Sequence, residues 1–129
     1  MLDYKERKKF LVRYVNRKTR LKTIHDKAEQ HVQYMNNIDY SKYHRLARRM
    51  DEDKLDSYKD RLTNVSNDAK KRLSEIKPLI NSVSDTRQRK FLSMRYIDCY
   101  TVDEIALIEN CSHNMVVTVV RDGIKNIVE

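Results

Sequence analysis

The stretch that decides the fold is Thr101–Glu129, TVDEIALIENCSHNMVVTVVRDGIKNIVE, which carries two helix-start signals. Thr101 and Glu104 have the capping-box spacing, in which the threonine hydroxyl and the glutamate carboxylate each accept from the other residue's amide. After an apolar turn comes the break Asn110-Cys111-Ser112, and serine is a preferred residue type for capping the helix that follows. A short helix, a tight turn and a longer helix form the pattern of a helix-turn-helix.

The helix predicted after Ser112 has a periodic apolar face that we expect to be core, made of Val116, Val119, Ile124 and Ile127. Upstream, Asp85 and Gln88 have a similar cap spacing and open a predicted helix over 86–98. Residues 85–129 are therefore predicted to be a three-helix unit.

Two long helices are predicted before this unit. The first covers 3–36 with a heptad-like seam of Phe10, Tyr14, Arg17, Leu21, Ile24, Ala28, His31 and Met35. The second starts at Arg45 or Asp51 and runs to Ile76 with a seam of Leu55, Tyr58, Leu62, Val65, Ala69, Leu73 and Ile76. Because proline lacks an amide donor and disfavours helix in the residue before it, Pro78 is predicted to end this helix in a short bridging turn.

The polar residues 36–41 between the long helices favour an antiparallel hairpin within one chain, while pairing between two chains as a homodimer stays open. The predicted fold class is all-α, a long coiled-coil-like hairpin followed by a C-terminal three-helix helix-turn-helix domain. The predicted domains are 1–84, a basic stalk, and 85–129.

The net charge of +8 is concentrated at the N-terminal side. Residues 1–50 hold 14 Lys/Arg against 5 Asp/Glu, whereas residues 51–129 hold 13 against 14. Such a basic segment favours a polyanion partner through Coulomb attraction and counterion release, or it is a solvated helix face. The aromatic and basic cluster Tyr40–Arg45 is able to stack on bases or contact phosphates, but packing of its tyrosines at the hairpin tip is favoured.

Several classes of protein do not fit the sequence. No apolar run approaches the length of a membrane span and no signal peptide is recognisable, so we expect a cytoplasmic protein without membrane contact. Cys99, Cys111 and His113 match no standard zinc pattern, and no hydrolase-type cluster or glycine-rich phosphate loop is present. We therefore expect no catalytic residues, no metal and no cofactor.

The segments Arg89–Tyr96, Tyr100–Ala106 and Ser112-x-x-x-Val116 resemble region 4 of bacterial sigma factors without a gap. The whole layout is similar to small phage-encoded sigma-like regulators of the ArpU and RinA kind and related phage proteins of Gram-positive hosts. The resemblance implies a DNA-binding regulator of transcription in the host nucleoid, with double-stranded DNA as partner.

The resemblance also implies roles for individual residues. The segment 101–110 supports the segment 112–128, which enters the major groove. Six residues are expected to face bases: His113, Asn114, Met115, Val117, Thr118 and Arg121. Six more are expected at phosphates or the DNA backbone: Arg87, Arg89, Lys90, Thr101, Ser112 and Lys125.

This chain departs from the sigma pattern at Met115 and Val117, where those proteins usually carry arginines, and at Val120, where they carry an acidic residue. Bidentate arginine–guanine contacts are the commonest specific readout, so their loss keeps a second hypothesis open. In that hypothesis the domain binds RNA polymerase or a host regulator through exposed apolar residues and reads no bases.

Overall fold

The computed structural model describes residues 2–129, and all regular structure in that range is helical. The elements are α1 (Tyr4–Asn36), a 3-10 turn (Tyr40–Lys42), α2 (Arg45–Asn81), α3 (Thr86–Tyr96), α4 (Val102–Glu109) and α5 (His113–Lys125). The predicted all-α class and the long N-terminal helix are confirmed. Within the described range no helix is long and apolar enough to cross a membrane.

One compact unit is Arg17–Asp68. Here α1 and α2 lie antiparallel, because Arg17 Nε donates to the Asp68 carboxylate at one end and His31 Nε2 lies 2.8 Å from the Asp51 carbonyl oxygen at the other. The side chains buried between the helices are few: Ile24, Ala28, His31 and Val65. The predicted seams thus meet within a single chain.

The other compact unit combines residues 2–16 with Ala69–Glu129. It holds the largest fully buried side chains, which are Phe91, Leu11, Ile76, Ile80, Leu92, Ile105, Ile124, Val83 and Val116. In it α3, α4 and α5 pack against one another. Whether 85–129 folds independently of 1–84 stays a prediction.

The prediction that α2 ends before Pro78 was wrong, because the helix continues through the proline to Asn81. Ile76 and Ile80, on either side of it, are each only 1% exposed, so continuing the helix keeps both in the core. Pro78 and Ser74 are exposed, so water can bind the Ser74 carbonyl that has no amide partner at position 78. Core burial outweighs the local cost of the proline.

Candidate functional site

The short helix α4 begins with the predicted capping box. The Glu104 amide donates to Thr101 Oγ1 and the Thr101 amide donates to the Glu104 carboxylate, both at 3.1 Å. The helix ends at Glu109 and is followed by Asn110, whose φ of 53° and ψ of 50° are left-handed, a conformation that asparagine tolerates better than most residues. The Cys111 amide then donates to the Ala106 carbonyl at 3.0 Å, which closes the turn. This turn fixes the direction in which the chain enters α5.

Ser112 caps α5, with its hydroxyl accepting from the Met115 amide at 3.1 Å. The helix ends at Lys125, so the last three residues of the segment 112–128 lie beyond it. The Asn126 amide still donates to the Asp122 and Gly123 carbonyls at 3.1 Å, but the Ile127 amide donates to the Ile124 carbonyl, three residues back, at 3.4 Å, so the α-helical pattern is not continued. The Asn126 side chain also donates to Gln88 at 2.8 Å. The frame of α5 is therefore fixed at both ends.

The two faces of α5 differ sharply. The predicted core residues are buried, with Val116 and Ile124 at 0% exposure, Val119 at 9% and, after the helix, Ile127 at 4%. All six residues expected to face bases are exposed: His113, Asn114, Met115, Val117, Thr118 and Arg121. The helix thus presents one continuous exposed face while its opposite face packs on α3 and α4.

Gly123 lies against α3, without space for a side chain. A Cβ at this position would lie 3.0 Å from Leu92 Cδ1 and 3.3 Å from Gln88 Cβ. Leu92 is fully buried, so it has little room to move away. The glycine therefore lets α3 support α5 from behind.

Two of the six exposed residues already have an ionic neighbour. His113 Nδ1 lies 2.7 Å from the Asp103 carboxylate, and Arg121 Nε lies 3.8 Å from the neighbouring Asp122. Asn114 and Thr118 make no side-chain hydrogen bond with another described residue, so their polar groups are available to a ligand. Met115 and Val117 are 42% and 41% exposed and add apolar surface between them.

Most of the residues expected at phosphates have structural contacts within the chain. Lys90 Nζ pairs with Glu109 at 2.8 Å, and Arg89 donates to the Val83 carbonyl at 2.9 Å. The Arg87 guanidinium lies 5.3 Å from the Phe91 ring centroid, and the Lys125 ammonium lies 6.0 Å from that of Tyr4. Thr101 and Ser112 use their hydroxyls as caps. Each of these side chains therefore has a contact within the chain in addition to any contact with a ligand.

Sequence reasoning missed the role of Arg7. Its guanidinium donates to the carbonyls of Ile124 at 3.2 Å and Lys125 at 3.0 Å, and its Nε pairs with Glu129 at 3.0 Å. Arg7 thereby satisfies the last carbonyls of α5 and links them to α1. The available signal was the heptad seam, which reaches position 7 when continued backward from Tyr14.

Glu129 completes this contact. The Leu2 amide donates to both of its carboxylate oxygens at 3.2 Å. These bonds and that from Arg7 lower the pKa of Glu129 below its ordinary value of 4.5. The carboxylate is therefore held in its charged form where α1 meets the end of α5.

Three potential metal-ligating side chains come together in residues 2–129, and they are not Cys99, Cys111 and His113. In that range the one group of three potential ligands whose atoms lie within 4.8 Å of one another is His25, Asp26 and Glu29. All three are exposed on a single stretch of α1, and His25 also lies 3.5 Å from Glu29 as an ion-pair neighbour. Exposed acidic groups of this kind are common without a metal.

Exposed apolar residues extend onto α4. Leu107 is 84% exposed and Ile108 is 54% exposed, whereas Ile105 on the same helix is fully buried. An isolated exposed leucine needs no explanation, but two adjacent exposed apolar residues on a short helix mark a surface that a protein partner can cover.

Comparison with known proteins gives a family and no closer relative. No curated protein matches the chain. No solved structure matches it either. One family model matches residues 53–127, which include most of α2 and all of α3, α4 and α5. The chain belongs to the family described as Protein of unknown function (DUF1492).

Proposed function

We propose that the chain is a phage or prophage transcriptional regulator that binds promoter or operator DNA through α4 and α5 acting as a helix-turn-helix. The observation that carries the proposal is the exposed face of α5, supported from behind by buried contacts with α3 and α4. In this arrangement α4 crosses the DNA backbone and the start of α5 enters the major groove of double-stranded DNA in the host nucleoid.

The side chains of α5 suit a particular kind of readout. Asn114 is able to make the bidentate contact with adenine N6 and N7, while Met115, Val117 and Thr118 suit the methyl group of thymine. Arg121, farther along the helix, reaches guanine or a phosphate. We therefore expect an A·T-rich recognition sequence.

Affinity for the DNA backbone has to come from cations that are not already engaged. Lys5, Lys8 and Lys9 are exposed on α1, and Arg7 links that part of α1 to the C-terminus of α5. These lysines can contact phosphates and release counterions. Lys90 and Arg89 are less available for this, because Lys90 pairs with Glu109 and Arg89 donates to the Val83 carbonyl. Binding should accordingly weaken as salt is raised.

The test is a selection of bound duplexes from a random library with the purified protein, followed by binding measurements on the enriched sequence. The triple variant Asn114→Ala/Thr118→Ala/Arg121→Ala should lose at least about tenfold in affinity for that sequence, since each specific contact contributes about 1–3 kcal/mol. The matched control is Arg61→Ala/Thr63→Ala/Asn67→Ala, which removes the same residue types from exposed positions of α2. Equal losses in the two variants, or no enriched sequence, would contradict the proposal.

A second function is favoured by one specific observation, the exposed apolar side chains of α4 and α5. Here Leu107, Ile108, Met115 and Val117 bind host RNA polymerase or a host regulator, and the chain does not read bases. The double variant Met115→Lys/Val117→Lys should then abolish capture of purified polymerase. Leu46→Lys/Met50→Lys, which changes apolar residues of similar exposure in α2, should leave capture intact.

A further inference from the structure

An open cleft of about 840 Å³ lies at the connection between α1 and α2, entirely within the unit Arg17–Asp68. We call it the tip cleft. Two tyrosines and three arginines dominate its lining: Tyr40, Tyr43, Arg45, Arg48 and Arg49. Its residues are separate from α5 and from every residue assigned to the proposed DNA-reading face.

The guanidinium groups of the tip cleft are only partly neutralised. Arg48 pairs with Glu52 at 3.0 Å and lies 5.7 Å from the Tyr40 ring centroid. Arg45 and Arg49 make no ion pair or hydrogen bond through their side chains with another described residue. Two cations are therefore available to an anionic ligand.

Glu52, which lines the cleft, is paired with Arg48, and two further carboxylates in the flanking segments are occupied by local contacts. Asp39 accepts from the amide of Ser41 at 3.1 Å and from its hydroxyl. Asp51 accepts from the Tyr40 hydroxyl at 2.7 Å. Burial and this bond raise the pKa of Tyr40 to about 12, so the phenol stays neutral beside the arginines at physiological pH. An anion entering the cleft thus meets no phenolate at Tyr40.

Tyr43 differs from Tyr40 in its exposure. Its side chain is 61% exposed, and its residue lies in extended backbone directly after the 3-10 turn. Packing at the hairpin tip, which the sequence favoured, describes the half-buried Tyr40 but not this ring. Tyr43 presents an aromatic side chain on which a planar ligand is able to stack.

We propose that the tip cleft binds single-stranded nucleic acid, with Arg45 and Arg49 at the phosphates and a base stacked on Tyr43. Exposed aromatic rings beside a cationic groove are the usual basis of single-strand binding, because every base has a face that can stack. In a duplex those faces are covered by neighbouring bases, so a double strand gains only the phosphate contacts. The cleft volume lies within the range of about 300–1,000 Å³ typical of small-ligand pockets, which suits one or two nucleotides.

The experiment measures fluorescence anisotropy of a labelled mixed-sequence oligonucleotide of about 12 nucleotides, within the usual size of a single-strand site. The same strand annealed to its complement is measured in parallel. The protein is full length and carries Asn114→Ala/Thr118→Ala/Arg121→Ala, so that the signal does not depend on the proposed DNA-reading face. The single strand should bind more tightly than the duplex in this background.

Two pairs of variants separate stacking and site-specific charge from general attraction. Tyr43→Ala should weaken binding at least about fivefold, whereas Tyr43→Phe, which keeps the ring, should stay within about twofold. Arg49→Gln should weaken binding about fivefold or more, whereas Arg20→Gln, an equal loss of charge at an exposed position of α1 outside the cleft, should change it less than about twofold.

Three outcomes would overturn the proposal. One is equal affinity of the Tyr43→Ala variant and the parent protein for the strand, which would show that no base stacks on Tyr43. Another is an equal effect of Arg49→Gln and Arg20→Gln, which would show that the binding depends on the net charge of the protein and not on the cleft. The last is competition by poly-glutamate as strong as competition by the unlabelled strand, which identifies the ligand as an acidic peptide.

Discussion

Thr101 and Ser112 each cap the start of a helix, because their hydroxyls accept hydrogen bonds from the amides of Glu104 and Met115. Arg89 likewise has a structural contact, since its guanidinium donates to the Val83 carbonyl. Polar side chains near the exposed face of α5 therefore have structural roles that have to be separated from binding.

For Thr101 the separation uses two substitutions. Thr101→Ala removes the cap from a helix of only eight residues and should lower the free energy of unfolding by about 1 kcal/mol. Thr101→Ser keeps the cap and should be nearly neutral. Urea denaturation followed by circular dichroism measures both. A loss of DNA affinity in Thr101→Ser with unchanged stability would instead assign the threonine methyl to binding.

Glu129 gives a pH dependence with a definite sign. Its folded-state pKa lies below the ordinary value of 4.5, so its contribution to stability is complete above that value and is lost as the pH falls through the folded-state pKa. Glu129→Gln should lower the melting temperature at neutral pH, and the difference from the parent should shrink in acid. A difference that stays constant down to low pH would assign the effect to something other than this carboxylate.

Residue-level prediction from sequence worked for caps and failed for distant partners. The Thr101–Glu104 pattern is local, so spacing alone identified it. Arg7 and Glu129 are far apart in sequence. The heptad seam distinguishes position 7 from its basic neighbours, but it does not indicate that the side chain there reaches the carbonyls at the end of another helix.

At the level of elements, α2 contains a proline that destabilises it locally. Pro78 removes one helical hydrogen bond, yet the residues on either side stay buried as Ile76 and Ile80. The apolar periodicity continues through the proline. A prediction that gave this periodicity more weight than the missing amide would have placed the end of the helix correctly.

Replacing the proline should stabilise the helix. Pro78→Ala restores the amide and removes the clash of the ring, so we expect a gain of about 2 kcal/mol, reduced by the greater entropy of the unfolded chain. Chemical denaturation measures it, with Lys77→Ala at the neighbouring exposed position as control. A loss of stability in Pro78→Ala would mean that the ring itself makes favourable contacts.

The contact between α3 and α5 should be sensitive to a single methyl group added at Gly123. Gly123→Ala improves helix propensity by up to about 1 kcal/mol but forces a Cβ to 3.0 Å from Leu92 Cδ1, and overpacking costs about 1–3 kcal/mol. We expect net destabilisation in thermal melts.

A double-mutant cycle identifies the cause. In a Leu92→Ala background the added methyl group has space, so Gly123→Ala should cost less there or become favourable. The same cost in both backgrounds would show that Leu92 is not the obstacle.

On the scale of the whole molecule, the two compact units differ in how much they bury. Arg17–Asp68 contains four buried side chains, Ile24, Ala28, His31 and Val65, whereas the other unit contains all the largest fully buried ones. Few buried apolar contacts imply a low free energy of local opening.

Hydrogen exchange should reveal this difference. Backbone amides in the middle of α2, around Val65, should exchange faster than those around Phe91 in α3 and Val116 in α5. Mass spectrometry of peptides after timed deuteration measures the rates. Equal protection in both units would indicate a single cooperative structure.

Sequence periodicity predicted that the helices exist, because each buries a face that repeats every three or four residues. It could not predict that residues 2–16 share a core with α3–α5, since Leu11 and Tyr14 carry no mark that distinguishes one apolar partner from another. For the same reason the exposed ring of Tyr43 and the half-buried ring of Tyr40 looked alike in sequence.

The contact of Arg7 with Glu129 has a consequence for how the protein is made. The two residues are separated by 122 positions, and ribosomes add about 5–20 residues per second, so Arg7 has to wait roughly 6 to 24 s for this partner to be synthesised. Residues 17–68 are complete much earlier and can form their helical pair on the nascent chain. The N-terminal residues are therefore without this partner until residue 129 has been synthesised, and the unit they belong to closes after the unit formed by residues 17–68.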